Sequence, residues 1–445
     1  MSVILTTNPS DSGKLSINQH SECACDCDCA CPVDGKVTPV LSLPVAYYLE
    51  LTPMCNNRCP GCGNVYAWQR AALPAPLDGD GWCRLIRHLA AHAYHLKITG
   101  GEPTLHPDFA EILETVDSLN IPFTLFTAGR WHDPEAIVRR LRNTPTCEGC
   151  LISLHGSDAA THEAFCNVSG AFDETVANIR RAAEAEIDVA VSFVINRHNW
   201  QRDHIEATLD LALSSGVTQV VCNRLIGNDI PGITPSPAQL RAAVATIESL
   251  REAGHPIRFG NCIPQCFAAS SSTGCTAGST FATLDPWGRM RPCNHAPVIA
   301  GDLNTQTVEA VWRGAVMTEW RARVPEGCAA CAAFALCHGG CRAQALLTGQ
   351  EQDPLIQMPP LKADVPAEAL RLYAGLRPLR KFTQRAHDLD VLIYKSRVVG
   401  LPKMYAPLAR DLNGDLTLQQ IQDEYGLEAL DWIEALYRQG MLTWA

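Results

Sequence analysis

The sequence predicts an α/β protein: a partial (β/α)6 barrel, then a Cys-rich region and a small, mainly helical C-terminal domain. Apolar strand-like runs alternate with amphipathic helical runs from residue 45 to about residue 230. Cysteines concentrate between residues 262 and 341, and the last 60 residues change to a compact helical pattern. Alternation of this kind indicates parallel strands joined by helical crossovers.

Six β-α units can be read in series. The strand-like runs are AYYLELT, HLKITGG, PFTLFTAG, GCLISLHG, DVAVSFVIN and TQVVCNRLIG. The helical runs between them are GDGWCRLIRHLAAHA, HPDFAEILETVDSLN, PEAIVRRLRNT, FDETVANIRRAAEAE and RDHIEATLDLALSSG. A closed eight-unit barrel would show more strands, so we expect a partial barrel of six.

The remaining segments set the predicted domain boundaries. We expect a flexible Cys-rich tail (1–40), the barrel (41–235), a Cys-rich region (236–348), a linker (349–380) and a small C-terminal domain (381–445). The Cys-rich region begins with a helix and is expected to be loop-dominated over 256–345. In the C-terminal domain Thr417 is a predicted N-cap and Gly440 a predicted helix stop.

Composition narrows the function classes. With 47% hydrophobic and 19% charged residues, most of the chain should fold. A formal net charge of -11 argues against nucleic-acid binding. The N-terminus lacks a secretory pattern, and no apolar run reaches the roughly 18 residues of a membrane span. We therefore expect a cytoplasmic protein without a membrane partner.

The 21 cysteines are the anomaly. In a reducing compartment, clustered thiols point to metal binding more than to disulfides. The stretch MCNNRCPGC places Cys55, Cys59 and Cys62 at C-x3-C-x2-C spacing, directly after the first strand. Three thiolates can hold three irons of a [4Fe–4S] cubane and leave the fourth open, whereas structural sites normally have four ligands. A zinc knuckle with a distant fourth ligand is the alternative.

This motif resembles the radical S-adenosylmethionine (SAM) superfamily. The resemblance implies that the open iron chelates SAM and that reduction, by a donor of the flavodoxin or ferredoxin type, yields a 5′-deoxyadenosyl radical. Gly61 departs from that family, which usually has an aromatic residue before the third cysteine.

Later strands carry further matches in the family's order. ITGGEP falls where the glycine-rich SAM-binding segment is expected, LISLHG resembles the fourth strand, VSFVINRHN the fifth and NRLIG the sixth. The cofactor-contacting residues that the resemblance implies are Gly100, Gly101, Glu102, Ser153, Ser192 and Asn196. Glu102 is expected to accept from the SAM ammonium. Asp285 and His155 lie near these motifs and are interpreted as structural.

The second cysteine group resembles the SPASM extension of radical SAM enzymes, which binds auxiliary clusters. The resemblance assigns Cys275, Cys293 and Cys341 to a first auxiliary cluster, and Cys328, Cys331 and Cys337 to a second. The seventh cysteine of the pattern is missing after residue 341. His338, Asp353, a tail residue or an open iron is a candidate for that position, and Cys262 or Cys266 for the fourth ligand of the first cluster. A zinc ribbon at 328–337 is the alternative.

Both ends of the chain leave alternatives open. SECACDCDCACP alternates cysteine with Ala or Asp through Cys31, which suits an inert tail, a metal clamp or a substrate-like segment. Residues 406–444 resemble the winged-helix peptide-recognition domain of the pyrroloquinoline-quinone peptide chaperone, through Leu412, Gly414, Thr417, Ile421 and Gly440-Met441-Leu442. In such domains a strand edge captures a leader peptide, and residues 390–400 are the predicted edge. A helical lid or an oligomerisation element is the alternative.

The hypothesis that unites these features is a radical SAM oxidoreductase that modifies a ribosomally made peptide or a protein side chain. Its product would be a thioether or carbon–carbon crosslink, or an oxidised side chain. The alternatives are radical chemistry on a small molecule or a sulfatase-type protein, and a non-catalytic iron–sulfur protein that binds peptides. Because bound clusters contribute folding energy, residues 256–345 are expected to unfold first when the clusters are removed.

Overall fold

A ten-stranded sheet lies at the centre of the computed structural model, which describes residues 3–4, 40–69, 72–268, 274–329, 331, 333–357 and 375–445. The strands are β1 (Val3–Ile4), β2 (Ala46–Glu50), β3 (His95–Thr99), β4 (Phe123–Thr127), β5 (Cys147–Ser153), β6 (Val189–Ile195), β7 (Gln219–Arg224), β8 (Ile257–Phe259), β9 (Phe281–Leu284), β10 (Arg289–Arg291), β11 (Gly301–Asp302), β12 (Pro378–Arg380), β13 (Thr383–Arg385), β14 (Asp388–Tyr394), β15 (Arg397–Gly400) and β16 (Leu442–Trp444).

The helices follow the same chain order. They are α1 (Gly79–Leu89), α2 (Phe109–Ser118), α3 (Pro134–Arg142), α4 (Ala159–Cys166), α5 (Ala171–Glu184), α6 (Arg202–Ser214), α7 (Pro237–Glu252), α8 (Val308–Trp312), α9 (Ala315–Ala322), α10 (Glu326–Ala329), α11 (Phe334–Cys337), α12 (Arg342–Leu347), α13 (Ala406–Asp411), α14 (Leu418–Tyr425) and α15 (Leu427–Arg438). Of the helices that the structure describes, none has the length and apolar character needed to cross a membrane.

The central sheet confirms the predicted fold class. Its order is β11-β10-β9-β2-β3-β4-β5-β6-β7-β8, and the six predicted strands, β2 to β7, are parallel neighbours in chain order. Two further strands flank them in parallel, β9 beside β2 and β8 beside β7. Both come from the region expected to be loop-dominated, so the sheet continues beyond residue 235.

Amphipathic helices cover this sheet because their apolar residues recur at helical spacing. In α1, Trp82, Leu85, Ile86 and Leu89 are all buried, while the Asp78 carboxylate caps the first turn by accepting from the Gly81 N–H at 2.9 Å. Strand β6 shows the matching period of two, with buried and partly buried residues alternating along its length. In α1 and β6, the periodicity of the sequence therefore agrees with the burial of each element in the fold.

The C-terminal unit has its own sheet and its own helical core. Strand β14 pairs antiparallel with β13 and β15, and β12 pairs antiparallel with β16. Helices α13 to α15 pack around buried Leu408, Ile421 and Trp432. The Thr417 hydroxyl accepts from the Gln420 N–H at 3.2 Å in a capping box, which confirms the predicted N-cap.

This unit rests on the N-terminal ends of the barrel strands. Leu41 and Val45, just before β2, share an apolar cluster with Val391 and Val398 of the unit. The Lys395 ammonium also lies 2.6 Å from the carboxylate of Glu148, near the start of β5. The predicted tail and linker fall mostly on residues 5–39 and 358–374, outside the described residues.

Candidate active site

A cavity of roughly 230 Å³ opens at the carboxyl ends of the parallel strands. This is the end at which barrels of parallel strands place their active sites. The predicted site residues on its wall are Cys55, Cys59, Cys62, Gly100, Gly101, Ser153 and Ser192. Glu50, Asn57, His155, Phe165 and Asn294 also line it. The fold therefore brings the three-cysteine loop and residues from β3, β5 and β6 to one place.

Arg130, which the sequence interpretation missed, clamps the cysteine loop to the barrel. Its guanidinium donates to the Asn56 carbonyl at 2.9 Å and to the Asn57 side-chain oxygen at 3.0 Å. The Asn56 side chain donates in return to the Arg130 carbonyl at 2.6 Å. Within the loop, the Asn57 N–H points at the Cys55 sulfur at 3.4 Å. The loop is thus held to the barrel by a polar network of Arg130, Asn56 and Asn57.

Gly100 and Gly101 allow the strand end to approach this same loop. A Cβ on Gly100, whose φ is +144°, would lie 2.6 Å from the Thr52 carbonyl oxygen, and one on Gly101 would lie 2.1 Å from that of Met54. The Gly101 N–H donates to the Thr52 carbonyl at 2.7 Å. The glycine pair is therefore required by the close packing of two backbone segments, in addition to lining the cavity.

Glu102 and Asn196 lie behind the wall of the cavity rather than on it. The Glu102 carboxylate is fully buried and accepts from the Thr127 hydroxyl at 2.8 Å and the Ala128 N–H at 2.8 Å. Burial raises the pKa of Glu102, and these hydrogen bonds oppose the rise. Asn196 is also buried, and its side-chain oxygen accepts from the His198 N–H at 2.8 Å. The predicted contact of Glu102 with SAM stays a prediction.

His155 lines the cavity as a neutral imidazole. Its Nδ1 accepts from the Val194 N–H at 3.2 Å, which assigns the proton to Nε2. The ring stacks on His162, with centroids 5.7 Å apart and planes at 14°. Burial, followed by the neighbouring His162, holds the pKa of His155 well below its ordinary value. At neutral pH this ring is an uncharged hydrogen-bond donor beside the cavity.

Two buried carboxylates, Glu50 at the end of β2 and Asp285 just after β9, each pair with an arginine of β10. Glu50 pairs with the guanidinium of Arg291. Burial raises the pKa of Glu50 although that cation opposes the rise. Asp285 accepts from the Tyr66 hydroxyl at 2.7 Å and from Arg289 Nε at 2.8 Å. Asp285 thus links the region beyond β9 to Tyr66, four residues after the last cysteine of the loop, an arrangement that favours its structural interpretation.

Gly61 is surrounded by apolar side chains that fill the space of the family's usual aromatic residue. A Cβ at this position would lie 2.6 Å from Leu225 Cδ1 and 3.0 Å from Phe165 Cε2. Phe165, from α4, also lines the cavity. An apolar ring therefore reaches this wall from a different element.

The thiols of the first auxiliary set lie together. Cys262, Cys275, Cys293 and Cys341 share one apolar cluster, and all but Cys275 are buried. Burial raises the pKa of the Cys293 thiol, and the thiols of Cys275 and Cys341 add to the rise. Of the two candidates for the fourth ligand of this set, Cys262 is the one in the cluster.

The donor set fits iron–sulfur chemistry. Three thiols line one cavity wall, and four more share one apolar cluster, as cluster ligation by cysteine requires. Within the described ranges, no three His, Cys, Asp or Glu side chains already enclose a point that could hold a single metal ion.

Comparisons with known proteins agree with this geometry. The family model described as "Radical SAM superfamily" matches residues 49–212, and that of an iron–sulfur cluster-binding domain, SPASM, matches residues 275–332. The PqqA peptide cyclase of Rhodopseudomonas palustris is 28% identical over 354 residues, covering 74% of this chain and 90% of the relative.

Solved structures show the same fold at lower identity. Streptococcus suis SuiB bound to S-adenosylmethionine superposes with a TM-score of 0.59 at 17% identity, covering 72% of this chain and 78% of SuiB. The complex of SuiB with its precursor peptide SuiA gives a TM-score of 0.59 at 16% identity, covering 72% of this chain and 77% of SuiB.

The fold and the site together define an iron–sulfur enzyme built on a partial barrel of parallel strands. The chain carries a radical SAM domain at residues 49–212 and a SPASM iron–sulfur cluster-binding domain at residues 275–332. Its cofactors are therefore a [4Fe–4S] cluster, SAM and auxiliary iron–sulfur centres.

Proposed function

We propose that this enzyme uses radical SAM chemistry to modify side chains of a ribosomally made peptide. The observation that carries the proposal is an extended segment already added to the sheet edge of the C-terminal unit. The likeness to proteins named PqqA peptide cyclase supports the peptide class. SuiB, which shares the fold, is described in complex with a precursor peptide.

The edge in question is that of β15. In this sheet the order is β1-β15-β14-β13, and Val3 and Ile4 of β1 pair in parallel with Val398 and Val399. Strand addition of this kind is how a sheet edge captures an extended peptide. Residues 390–400 were the predicted edge, and the chain's own N-terminal segment is the strand found there.

The protein residues have distinct tasks in this reaction. Cys55, Cys59 and Cys62 would hold the catalytic cluster, which with SAM supplies the radical that removes a hydrogen atom from the substrate. Gly100 and Gly101 leave room on the wall that SAM would face. Phe165 and the neutral His155 give the same cavity an apolar and a hydrogen-bonding surface.

The experiment has two arms. Anaerobically reconstituted enzyme, a strong reductant and SAM should yield 5′-deoxyadenosine, and Cys59→Ala should abolish that yield. A synthetic peptide with the sequence of residues 1–35, which contains Cys23 to Cys31, is then added as the probe. Each crosslink lowers its mass by two hydrogen atoms: one goes to the deoxyadenosyl carbon, and the other leaves as a proton while its electron reduces an auxiliary cluster.

The outcomes separate the alternatives. SAM cleavage together with the mass loss supports the proposal. SAM cleavage with no modification or binding of the peptide overturns the peptide assignment and moves the chemistry to a small molecule or a folded protein. Absence of SAM cleavage in material with a full complement of iron would leave a non-catalytic iron–sulfur protein.

A further inference from the structure

The second auxiliary set is one thiolate short of a complete cluster. Cys328, Cys331 and Cys337 match the SPASM pattern, but the chain contains no cysteine after Cys341. A [4Fe–4S] centre with four protein ligands uses four thiolates. The missing ligand must come from elsewhere, or one iron remains open.

Cys266 lies where that ligand would be needed. The backbone N–H of Gln265, its chain neighbour, donates to the Cys337 sulfur. On its other side, the Gln357 N–H donates to the Cys266 sulfur at 3.0 Å. Gln357 belongs to the segment after Cys341 from which the family's last cysteine would come. The segment that carries Cys266 thus contacts Cys337 through Gln265 and the segment after Cys341 through Gln357.

The three matched cysteines are arranged around the same spot. The Cys331 N–H donates to the Cys328 carbonyl at 3.0 Å, and the Cys337 N–H to the Ala333 carbonyl at 2.9 Å, so one tight double turn carries all three. Cys328 and Cys337 are buried. The pKa of Cys328 is raised to about 11, first by burial and then by the thiols of Cys337, Cys266 and Cys331. Cys266 therefore belongs to the electrostatic neighbourhood of this set.

Asp353, a rival candidate, is already engaged. Its Oδ1 accepts from Arg224 at 2.9 Å and from the Leu355 N–H at 3.1 Å. Its Oδ2 accepts from Arg224 and from the Cys341 N–H at 2.8 Å. Ligating an iron would break a buried ion pair, which costs several kcal/mol.

His338, the other rival, follows Cys337 directly in the chain. It has a left-handed backbone, with φ of 58°, and its ring packs 6.2 Å from that of Phe334. Its imidazole points toward Phe334 on α11, the helix that ends at Cys337. Cys266 is a thiol, the ligand type that iron–sulfur clusters most often use.

We propose that Cys266 is the fourth ligand of the second auxiliary cluster. The segment NCIPQC then gives one thiolate to each auxiliary centre, Cys262 to the first and Cys266 to the second. With four thiolates each, neither centre has an iron open to substrate, so both serve electron transfer. This assignment rests on the SPASM domain and is independent of the proposed peptide substrate.

The test measures iron in a background that lacks the catalytic cluster. In the full chain carrying C55A, C59A and C62A, the iron left after anaerobic reconstitution belongs to the auxiliary centres, roughly four irons for each cubane. Adding Cys266→Ala should remove about half of this iron or convert one centre to a three-iron form. Cys83→Ser, at a buried thiol on α1 that accepts from the Thr115 hydroxyl at 3.0 Å and belongs to neither auxiliary set, is the matched control.

Electron paramagnetic resonance supplies the readout when Cys266→Ala folds poorly. Cys266→Ser retains a weaker oxygen ligand and should shift the signal of one reduced auxiliary centre while leaving the other unchanged. Iron content and spectra equal to those of the Cys83→Ser control would overturn the assignment. Loss of the same signal in His338→Ala but not in Cys266→Ala would also overturn it, in favour of the imidazole.

Discussion

Arg224 and Asp353 form a buried bidentate ion pair, with Nη1–Oδ1 at 2.9 Å and Nη2–Oδ2 at 2.5 Å. Arg224 ends β7, the last of the six predicted strands. Asp353 also accepts from the backbone N–H of Cys341, a cysteine of the first auxiliary set, at 2.8 Å. One carboxylate therefore joins the barrel to the segment that carries this thiol.

Asp353→Ala should destabilise the enzyme and weaken the first auxiliary cluster. Removing one partner of a buried pair leaves the other charge uncompensated, which costs about 3–5 kcal/mol. The Cys341 backbone would lose its acceptor at the same time. Anaerobic urea unfolding and the iron content per chain measure the two effects.

The matched control is an exposed pair elsewhere on the barrel. Arg202 and Glu206 lie 2.8 Å apart at i,i+4 on α6, with both side chains exposed. Glu206→Ala should change the unfolding free energy by less than about 0.5 kcal/mol. Equal effects of the two substitutions would contradict the structural importance of the Arg224–Asp353 pair.

Restoring the family's aromatic residue at position 61 should weaken SAM binding. Gly61→Tyr would drive its Cβ to 2.6 Å from Leu225 and its ring into the space of Phe165. Overpacking of this kind costs about 1–3 kcal/mol, or roughly a tenfold or greater loss of affinity if the cavity wall moves. Equilibrium dialysis with labelled SAM measures it.

A second substitution, added to Gly61→Tyr, tests whether the loss of SAM affinity comes from steric conflict with Phe165. Phe165→Ala combined with Gly61→Tyr removes the conflict with the Phe165 ring and leaves only the contact with the end of the flexible Leu225 side chain, so SAM affinity should recover in part. Gly375→Ala, at which a Cβ would contact nothing, is the neutral control. Failure of the double substitution to recover affinity would contradict the exchange of one ring for the other.

The sequence predicts the barrel well because its strands and helices rest on local signals. Apolar runs that alternate with amphipathic helical runs indicate β2 to β7. The spacing of Cys55, Cys59 and Cys62 predicts a cluster loop, and the structure places these three residues on the cavity wall. Strands β8 and β9 were missed because runs of three and four residues carry no measurable period. Strand β8 enters the sheet by pairing with β7, and β9 by pairing with β2. Both pairings join residues that are distant in the sequence, so the local sequence does not reveal them.

The support residues were missed for a similar reason. Arg130 follows a strand as an ordinary exposed-type residue, and nothing in its neighbourhood shows that it meets Asn56 across 74 positions. Glu102 has a motif position that suggests ligand contact, yet burial places it behind the wall. In both cases the position of the side chain is determined by contacts with residues that are distant in the sequence.

Acidification should destabilise the enzyme through His162. Burial lowers the pKa of this imidazole from its ordinary 6.5 to about 4. As pH falls through 6.5, the unfolded chain therefore takes up a proton that the folded chain refuses. Stability from this group is complete above pH 6.5 and is lost progressively down to about pH 4. Between pH 7.5 and 5.5 the loss is about 1.3 kcal/mol.

Anaerobic urea unfolding at several pH values measures this slope. His162→Gln should make it shallower, with the remaining slope due to other buried imidazoles such as His155. His88→Gln, on the exposed side of α1, should leave it as in the parent enzyme. A slope that survives unchanged in His162→Gln would assign the acid sensitivity to another group. Equal flattening in both variants would contradict the prediction as well.

Removing the first ten residues should open the β15 edge to added peptide. A strand tethered in the same chain competes at an effective concentration of ~mM, so its removal should tighten binding of the residue 1–35 peptide by at least tenfold. Fluorescence anisotropy of the labelled peptide measures the affinity. Leu389→Thr, at a 65% exposed residue of β14, should leave it unchanged. Equal affinity of the full and shortened chains would show that β1 does not occupy the peptide's edge.

A modified peptide must also be long enough to reach from that edge to the cavity. The C-terminal unit contacts residues at the N-terminal ends of the strands, such as Glu148, whereas the cavity lies at their carboxyl ends near Ser153. The seven-residue strand β5 spans about 23 Å between these ends. Since an extended chain covers about 3.3 Å per residue, fewer than about seven residues between the docked segment and the reacting side chain cannot bridge the distance. A series of peptides with shortened spacers, analysed by mass spectrometry, should lose modification below that length while retaining their affinity. Modification of a peptide with a three-residue spacer would place the docking edge elsewhere.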